Sequence, residues 1–501
     1  GIISGAGATL TKAGVGNLTL SGDNTYGGGT TVSYGTLTLG NTTALGTGVL
    51  TNNAAINVAS GITEITANGL AGTNASASFS LSNLAGTPLA VALTITQGTD
   101  SSYLGTLTGL GSITKAGVGN LTLSGANTYG GSTTINAGTL TAGRATSGSV
   151  GSITDGPFGT NTITVGSSGT LDVANYTVLN AINLNGGTIT TSTGSTGAIT
   201  GGITLGAANS YLNATTSTTL TIGSAISEAS SAYALTIGTN TKTGTVILSS
   251  ANTYSGGTTV SYGTLTLGNT TALGTGVLTN NAAINVASGI TEITANGLAG
   301  TNASASFSLS NLAGTPLAVA LTITQGTDSS YLGTLTGLGS ITKAGVGNLT
   351  LSGANTYGGS TTINAGTLTA GRATSGSVGS ITDGPFGTNT ITVGSSGTLD
   401  VANYTVLNAI NLNGGTITTS TGSTGAITGG ITLGAANSYL NATTSTTLTI
   451  GSAISEASSA YALTIGTNTK TGTVILSSAN TYSGGTTVSY GTLTLGNTTA
   501  L

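Results

Sequence analysis

Residues 115–143 read KAGVGNLTLSGANTYGGSTTINAGTLTAG. In NLTL and GTLTAG every second residue is apolar and the residues between are threonines, the period-two pattern that sends alternate side chains to opposite faces of a strand. The same alternation appears at Leu18-Thr19-Leu20, and at Gly35-Thr36-Leu37-Thr38-Leu39-Gly40 after a second turn. A helix would need apolar spacings of three and four, and glycines interrupt the chain at intervals shorter than a typical helix. Threonine, valine and isoleucine, which suit a pleated surface, fill the remaining positions. The chain therefore reads as all-β, with strand, turn, strand, turn as its grammar.

The grammar repeats at two scales. Asn24-Thr25-Tyr26, Asn127-Thr128-Tyr129, Asn252-Thr253-Tyr254, Asn355-Thr356-Tyr357 and Asn480-Thr481-Tyr482 mark one short unit, at spacings alternating between 103 and 125 residues. Residues 28–273 reappear letter for letter at 256–501, a period of 228. The expected organisation is the end of one repeat at 1–27, one 228-residue module at 28–255, a second at 256–483 and the start of a third at 484–501. A chain that enters and leaves its pattern in mid-period reads as a slice of a longer array.

Short strands can build sandwiches, barrels or solenoids, and tandem repetition favours the solenoid. A parallel β-helix with ~20 to 25 residues per coil and ~4.8 Å between coils would make each period ~10 coils and ~45 to 50 Å of rod. The inward set includes Leu37, Leu39, Val91, Leu93 and Ile95. Burying each contributes ~1.5 to 3 kcal/mol against ~1 to 2 kcal/mol of backbone entropy per ordered residue, so one coil cannot stand alone and stacked coils can. Gly35, Gly138 and Gly263 precede TL strands, where a sharp corner calls for positive φ. Pro88 and Pro157 read as bends or protrusions between stacks.

Composition narrows function. There are 85 glycines, 7 basic and 11 acidic residues, and no Cys, His, Met or Trp in 501 positions. Metal sites built on His or Cys, and nucleophile systems that need imidazole or thiol, are excluded by inventory. A net charge of −4 offers nucleic acid no basic footprint. No apolar run approaches the ~20 residues of a membrane helix. With charged residues at 4%, solvation falls to Thr, Ser and Asn, and the β-branched content argues against disorder. So few ionisable groups imply indifference to pH and salt.

The units LTKAGVGNLTLSGDNTYGGGTTVSYGTLTLG (10–40) and ITKAGVGNLTLSGANTYGGSTTINAGTLTAG (113–143) resemble the passenger-associated transport repeat of bacterial autotransporters. The pattern is a Lys, spaced Gly, L-x-L, N-T-Y-x-G-x-T and a closing G-x-L strand. Lys343 opens the same unit, and Lys242 and Lys470 open a looser version. The resemblance implies a right-handed parallel β-helix from a Gram-negative bacterium, displayed at or shed from the cell surface, whose repeats assist passenger folding and export. The full family pattern would add a C-terminal translocator barrel, which this stretch does not contain.

Candidate sites read mostly as structure. Glu64, Asp100, Asp155, Asp172 and Glu228 occur singly. A carboxylate pair brought together by stacking could hydrolyse glycosides, but turn and surface roles are simpler, with Asp155 forming a turn and Asp172 facing water. The serial G-G-x-G-x-D motif of calcium-binding rolls is missing, and no helix follows the Gly5 or Gly14 pairs to complete a phosphate loop. Tyr26, Tyr129, Tyr254, Tyr357 and Tyr482 could stack on sugar or on a neighbouring rod. The simpler reading is a ring on the solenoid wall with its hydroxyl in water. Thr-Leu-Thr triplets at 36–38 and 106–108 place two threonines outward, as on ice-binding solenoids, although threonine is also an ordinary strand former. Lys115 and Arg144 read as isolated cations, and Asn24, Asn41 and Asn52 as members of stacked amide ladders.

The function expected from the sequence is a non-enzymatic extracellular structural protein forming a long, rigid fibre, stalk or sheath on a bacterial surface. The alternative is an adhesin whose repeats hold a distal binding tip, and a polysaccharide-degrading β-helix is a third reading. The expected partners are identical copies associating into a fibre or bundle, with cell-surface or glycan contacts as a second class. No cofactor, metal, nucleic acid or membrane insertion by this stretch is expected.

Overall fold

A computed structural model describes residues 1–501 except Thr193, Ser195, Ser231, Thr421 and Ser459. Among the described residues there are 56 strands and no helix, so none long and apolar enough to cross a membrane. The chain forms two compact units, Gly1–Gly256 and Gly257–Leu501. Each is a parallel β-solenoid.

In the first unit most strands pair in parallel with a strand on the neighbouring coil. Leu10 lies beside Thr30, twenty residues later, and Thr219 beside Thr245, twenty-six later. The excess is absorbed in loops, because parallel register is fixed by the strands and not by the connections. Coil length is therefore free to vary.

One inward rank runs Ile65, Leu93, Ile113, Thr133, Ile163, Ile182, Ile203, Ile226 from coil to coil. All eight are buried. Two residues along the same strands lies a second inward rank, Ala67, Ile95, Lys115, Ile135, Val165, Leu184, Leu205. Between them an outward rank carries Thr66, Thr94, Thr114, Thr134 and Thr164. The inner apolar residues remove hydrocarbon from water, and the outer hydroxyls solvate a face that has almost no charge. The predicted inward set, Leu37, Leu39, Val91, Leu93 and Ile95, is buried throughout.

The second unit repeats this order from Ile293 through Leu321, Ile341, Thr361 and Ile391. In both units an antiparallel hairpin interrupts the parallel order: Ser147–Ser149 with Ser152–Asp155, and Ser375–Ser377 with Ser380–Asp383. The first hairpin lengthens its coil, so that Thr133 meets Ile163 thirty residues on. Arg144 is thus no isolated cation: its guanidinium pairs with Asp155 at 3.0 Å across the hairpin base. Asp155, expected as a simple turn former, ends the hairpin and also accepts a bond from Ser147. Pro88 is exposed, whereas Pro157 is buried just beyond the hairpin.

Candidate functional site

The tyrosines of the recurrent Asn-Thr-Tyr unit lie inside the solenoid, while its threonines face solvent. Tyr26, Tyr129, Tyr254 and Tyr357 are at most 1% exposed, and Tyr482 is 8% exposed. This corrects both readings of the tyrosines, as surface stacking platforms and as wall rings with wet hydroxyls. Tyr129 Oη lies 2.6 Å from Thr133 Oγ1, which donates onward to the Phe158 carbonyl at 2.9 Å. With the Thr proton committed to that carbonyl, the tyrosine is the donor of the first bond. Tyr26 uses Thr30 and the Leu45 carbonyl, and Tyr357 uses Thr361 and the Phe386 carbonyl, in the same relay. Thr133 breaks the inward isoleucine rank because the relay needs a hydroxyl there.

The asparagines bridge coils. Asn127 Oδ1 accepts from the Leu107 amide at 2.8 Å, and its Nδ2 donates to the Pro157 carbonyl at 2.7 Å, twenty residues before and thirty after. Asn355 does the same with Leu335 and Pro385, and Asn24 with Ile3 and Ala44. Asn480 bonds the Ile454 amide and the Ala500 carbonyl, and Asn252 accepts from the Ile226 amide. The expected amide ladders are not how these side chains are held: each carboxamide replaces backbone bonds lost where the chain turns a corner. Asn41 bonds locally to Thr43, and Asn52 donates to Tyr103 Oη at 2.9 Å.

Lys115 sits in an inward rank between Ile95 and Ile135 and is 0% exposed. Its Nζ meets three carbonyl oxygens, Gly117 at 2.7 Å and Ala116 and Ala137 at 3.0 Å, one acceptor for each ammonium proton. Lys343 repeats the cage with Ala344, Gly345 and Ala365. The corner glycines have the positive φ expected of them, +69° at Gly35, +66° at Gly138 and +73° at Gly263, and Gly138 closes the Lys115 cage. A Cβ on Gly138 would overlap the Gly117 carbonyl oxygen, one of the three caged acceptors.

Burial pulls Lys115 and Lys343 down to about 8, opposed by the carboxylates of Asp100 and Asp328. Burial pushes Tyr103, Tyr129, Tyr331 and Tyr357 well above the usual phenol range. The alkaline limb therefore departs from the pH indifference expected from composition. Between about 8 and the ordinary lysine value of 10.5 the folded chain binds fewer protons at these lysines than the unfolded chain, so stability rises with pH there. Above 10.0 the unfolded tyrosines ionise while the buried ones do not, so their contribution is lost as pH climbs further. Urea midpoints measured from pH 7 to 11.5 should rise past 8 and fall past about 10. In a Lys115→Met/Lys343→Met variant the rise should vanish and the fall remain.

Most of the candidate acids are occupied with structure. Asp100 accepts from the Asn120 amide at 2.8 Å. Asp172, expected to face water, is 8% exposed and accepts from the Ala174 amide at 2.8 Å and from Ser192 Oγ. Glu228 accepts from Ser255 Oγ at 2.6 Å and from the Tyr233 amide at 2.9 Å, bonds that hold it below the usual carboxylate range. Glu64 is exposed. Among the described residues no three acids gather to hold a metal. Of the outward triplets, Thr36, Thr106 and Thr108 are half-buried, while Thr38 is buried and donates to Asn17 Oδ1 at 3.0 Å.

Five segments match the passenger-associated-transport-repeat family: residues 10–39, 113–142, 239–267, 341–370 and 467–495. Each contains one Asn-Thr-Tyr unit with its closing strand. The chain is also 32% identical over 465 residues to the adhesin BmaC autotransporter of Brucella suis biovar 1. That match takes in 72% of this chain. The chain fits an autotransporter passenger. It spans 13% of the length of the Brucella protein. No solved structure matches the chain. In this passenger-type solenoid the repeat's tyrosines, four of its five asparagines and the lysines at 12, 115 and 343 are buried staples, while Lys242 and Lys470 stay half-exposed.

Proposed function

We propose that this chain is the non-enzymatic, load-bearing part of a passenger held outside a Gram-negative cell, where its coils build a fibre, stalk or sheath. The observation that carries this reading is the inward commitment of the repeat's reactive-looking groups. Lysine, asparagine and tyrosine, the side chains most able to bind or catalyse, satisfy backbone groups and one another. Every buried polar group so paired stiffens a coil and leaves little for chemistry. Identical chains associate through outward threonine ranks such as Thr94, Thr114 and Thr134, where each weak contact is multiplied by the number of coils. The adhesin reading, with the repeats as a stalk for a distal tip, draws support from the name of the Brucella relative.

The hairpin Ser147–Asp155 is an accessible epitope for the test, since Ser149 and Ser152 are exposed. Antibody to it should gold-label intact, unpermeabilised cells of the producing bacterium along filaments. Labelling that appears only after lysis would exclude the surface role, and labelled surface protein without filaments would exclude the fibre.

A further inference from the structure

The corner that leads into the strands of the Thr94, Thr114 and Thr134 rank can be followed across five successive coils of the first unit. The Leu110 amide donates to Ser82 Oγ at 2.9 Å and the Gly130 amide to the Gly109 carbonyl at 2.8 Å. Asn161 then donates to the Gly130 carbonyl at 3.1 Å, and Asn180 to the Asn161 carbonyl at 2.7 Å. With ~4.8 Å between coils, this edge is about 19 Å long.

The two ends of the edge are unlike. On its first two coils stand Leu84, Leu89 and Leu110, the three leucines that are at least half exposed among the described residues of this unit. Asn83 holds the loop of the first two outward, because its amide donates to the Leu89 carbonyl and its Oδ1 accepts from the Leu89 amide. On the last two coils a groove of about 310 Å³ opens beside the hairpin, lined by Val150, Ile153, Leu179 and Ala181. Gly130 lies midway. It is exposed, its φ lies outside the left-handed region, and a Cβ there would meet nothing nearer than 3.9 Å. Nothing in the packing of its own chain calls for glycine, whereas close approach of a second backbone would. Residues 84–91, 109–112, 130–132, 150–153, 160–162 and 179–181 hold no ionisable side chain, so identical edges meet without like-charge repulsion.

We propose that this edge pairs two copies of the chain, antiparallel, about a two-fold axis at Gly130, with the leucines of each copy packed into the groove of the other. Such an axis brings the first coils of one edge to the last coils of its mate, which makes the contact self-complementary as an isologous pair requires. The inference rests on the reading that identical copies associate, and adds the direction in which they lie. A strip of this length falls short of the ~800 Å² per partner of a stable pair, so it acts together with the threonine ranks that begin beside it at Thr134. The second unit repeats the edge with Leu312, Leu317, Leu338, Gly358 and a groove of about 330 Å³ beside Val378.

Crosslinking of the full chain, which has no cysteine of its own, tests it. Under mild oxidation Gly130→Cys/Gly358→Cys should form disulfide-linked dimers about tenfold faster than Val118→Cys/Val346→Cys, whose positions are highly exposed on another corner. Leu84→Cys/Leu312→Cys mixed with Ala181→Cys/Ala409→Cys should give the mixed dimer ahead of either dimer of like chains. Sedimentation velocity supplies the non-covalent counterpart. The parent should self-associate, and Gly130→Val/Gly358→Val, which enters open space, should do so about tenfold more weakly at an unchanged melting temperature. Undiminished association of the valine variant, crosslinking at Val118 as fast as at Gly130, or like-chain dimers ahead of the mixed one would overturn the antiparallel edge and leave the association of copies standing. A parent that stays single and crosslinks at neither position would overturn both.

Discussion

Asn127→Leu is expected to destabilise its coil by about 4 kcal/mol. The substitution keeps the volume and removes both polar atoms, leaving the Leu107 amide and the Pro157 carbonyl buried without partners. Each orphan costs ~1 to 3 kcal/mol, and both arise together. Hydrogen exchange in peptides carrying the substitution, which separates them by mass from the identical copy around Asn355, should accelerate by roughly a thousandfold. Asn127→Asp keeps the acceptor for Leu107 but turns an oxygen toward the Pro157 carbonyl, so its penalty should grow once the carboxylate ionises. Exchange unchanged in both variants would mean that the asparagine does not tie the coils.

The second large effect is expected at Tyr129. Tyr129→Ala should cost ~4 kcal/mol, because removing a fully buried ring leaves a cavity that a hydrogen-bonded stack cannot collapse into. Tyr129→Phe should cost only ~1 kcal/mol, because Thr133 still donates to the Phe158 carbonyl and only the phenol bond is lost. The contrast between the two, read from urea midpoints of the full chain, separates ring packing from the relay. A Phe variant as unstable as the Ala variant would place the energy in the hydroxyl instead.

Much of the solenoid was legible from parity alone. Leu37 and Leu39, or Ile113 and Ile135, alternate with threonine on segments short enough to be single coil walls, and the structure buries them. Parity also held an unused clue: Lys115 shares the phase of Ile113 and so belongs to the interior, where its three carbonyl partners wait. The tyrosines and asparagines were harder. They lie in turns, where period two lapses and a polar letter ordinarily means solvent. What reverses their direction is the corner itself, which strands the Leu107 amide and the Pro157 carbonyl within reach of one carboxamide. The hairpin at Ser147–Asp155 left a fainter trace, an arginine and an aspartate eleven residues apart in a chain nearly devoid of charge.

With no native cysteine in the sequence, paired substitutions read coil neighbours directly. Thr114 and Thr134 are register partners on adjacent coils, and Thr164 is one coil beyond Thr134. Adjacent parallel strands put Cα atoms at ~4.8 Å, within disulfide range, and strands two apart at about twice that, beyond it. Under mild oxidation Thr114→Cys/Thr134→Cys should form an intrachain disulfide readily and Thr114→Cys/Thr164→Cys should remain reduced. Crosslinking in the second pair and not the first would contradict the stacked parallel coils on which the account stands.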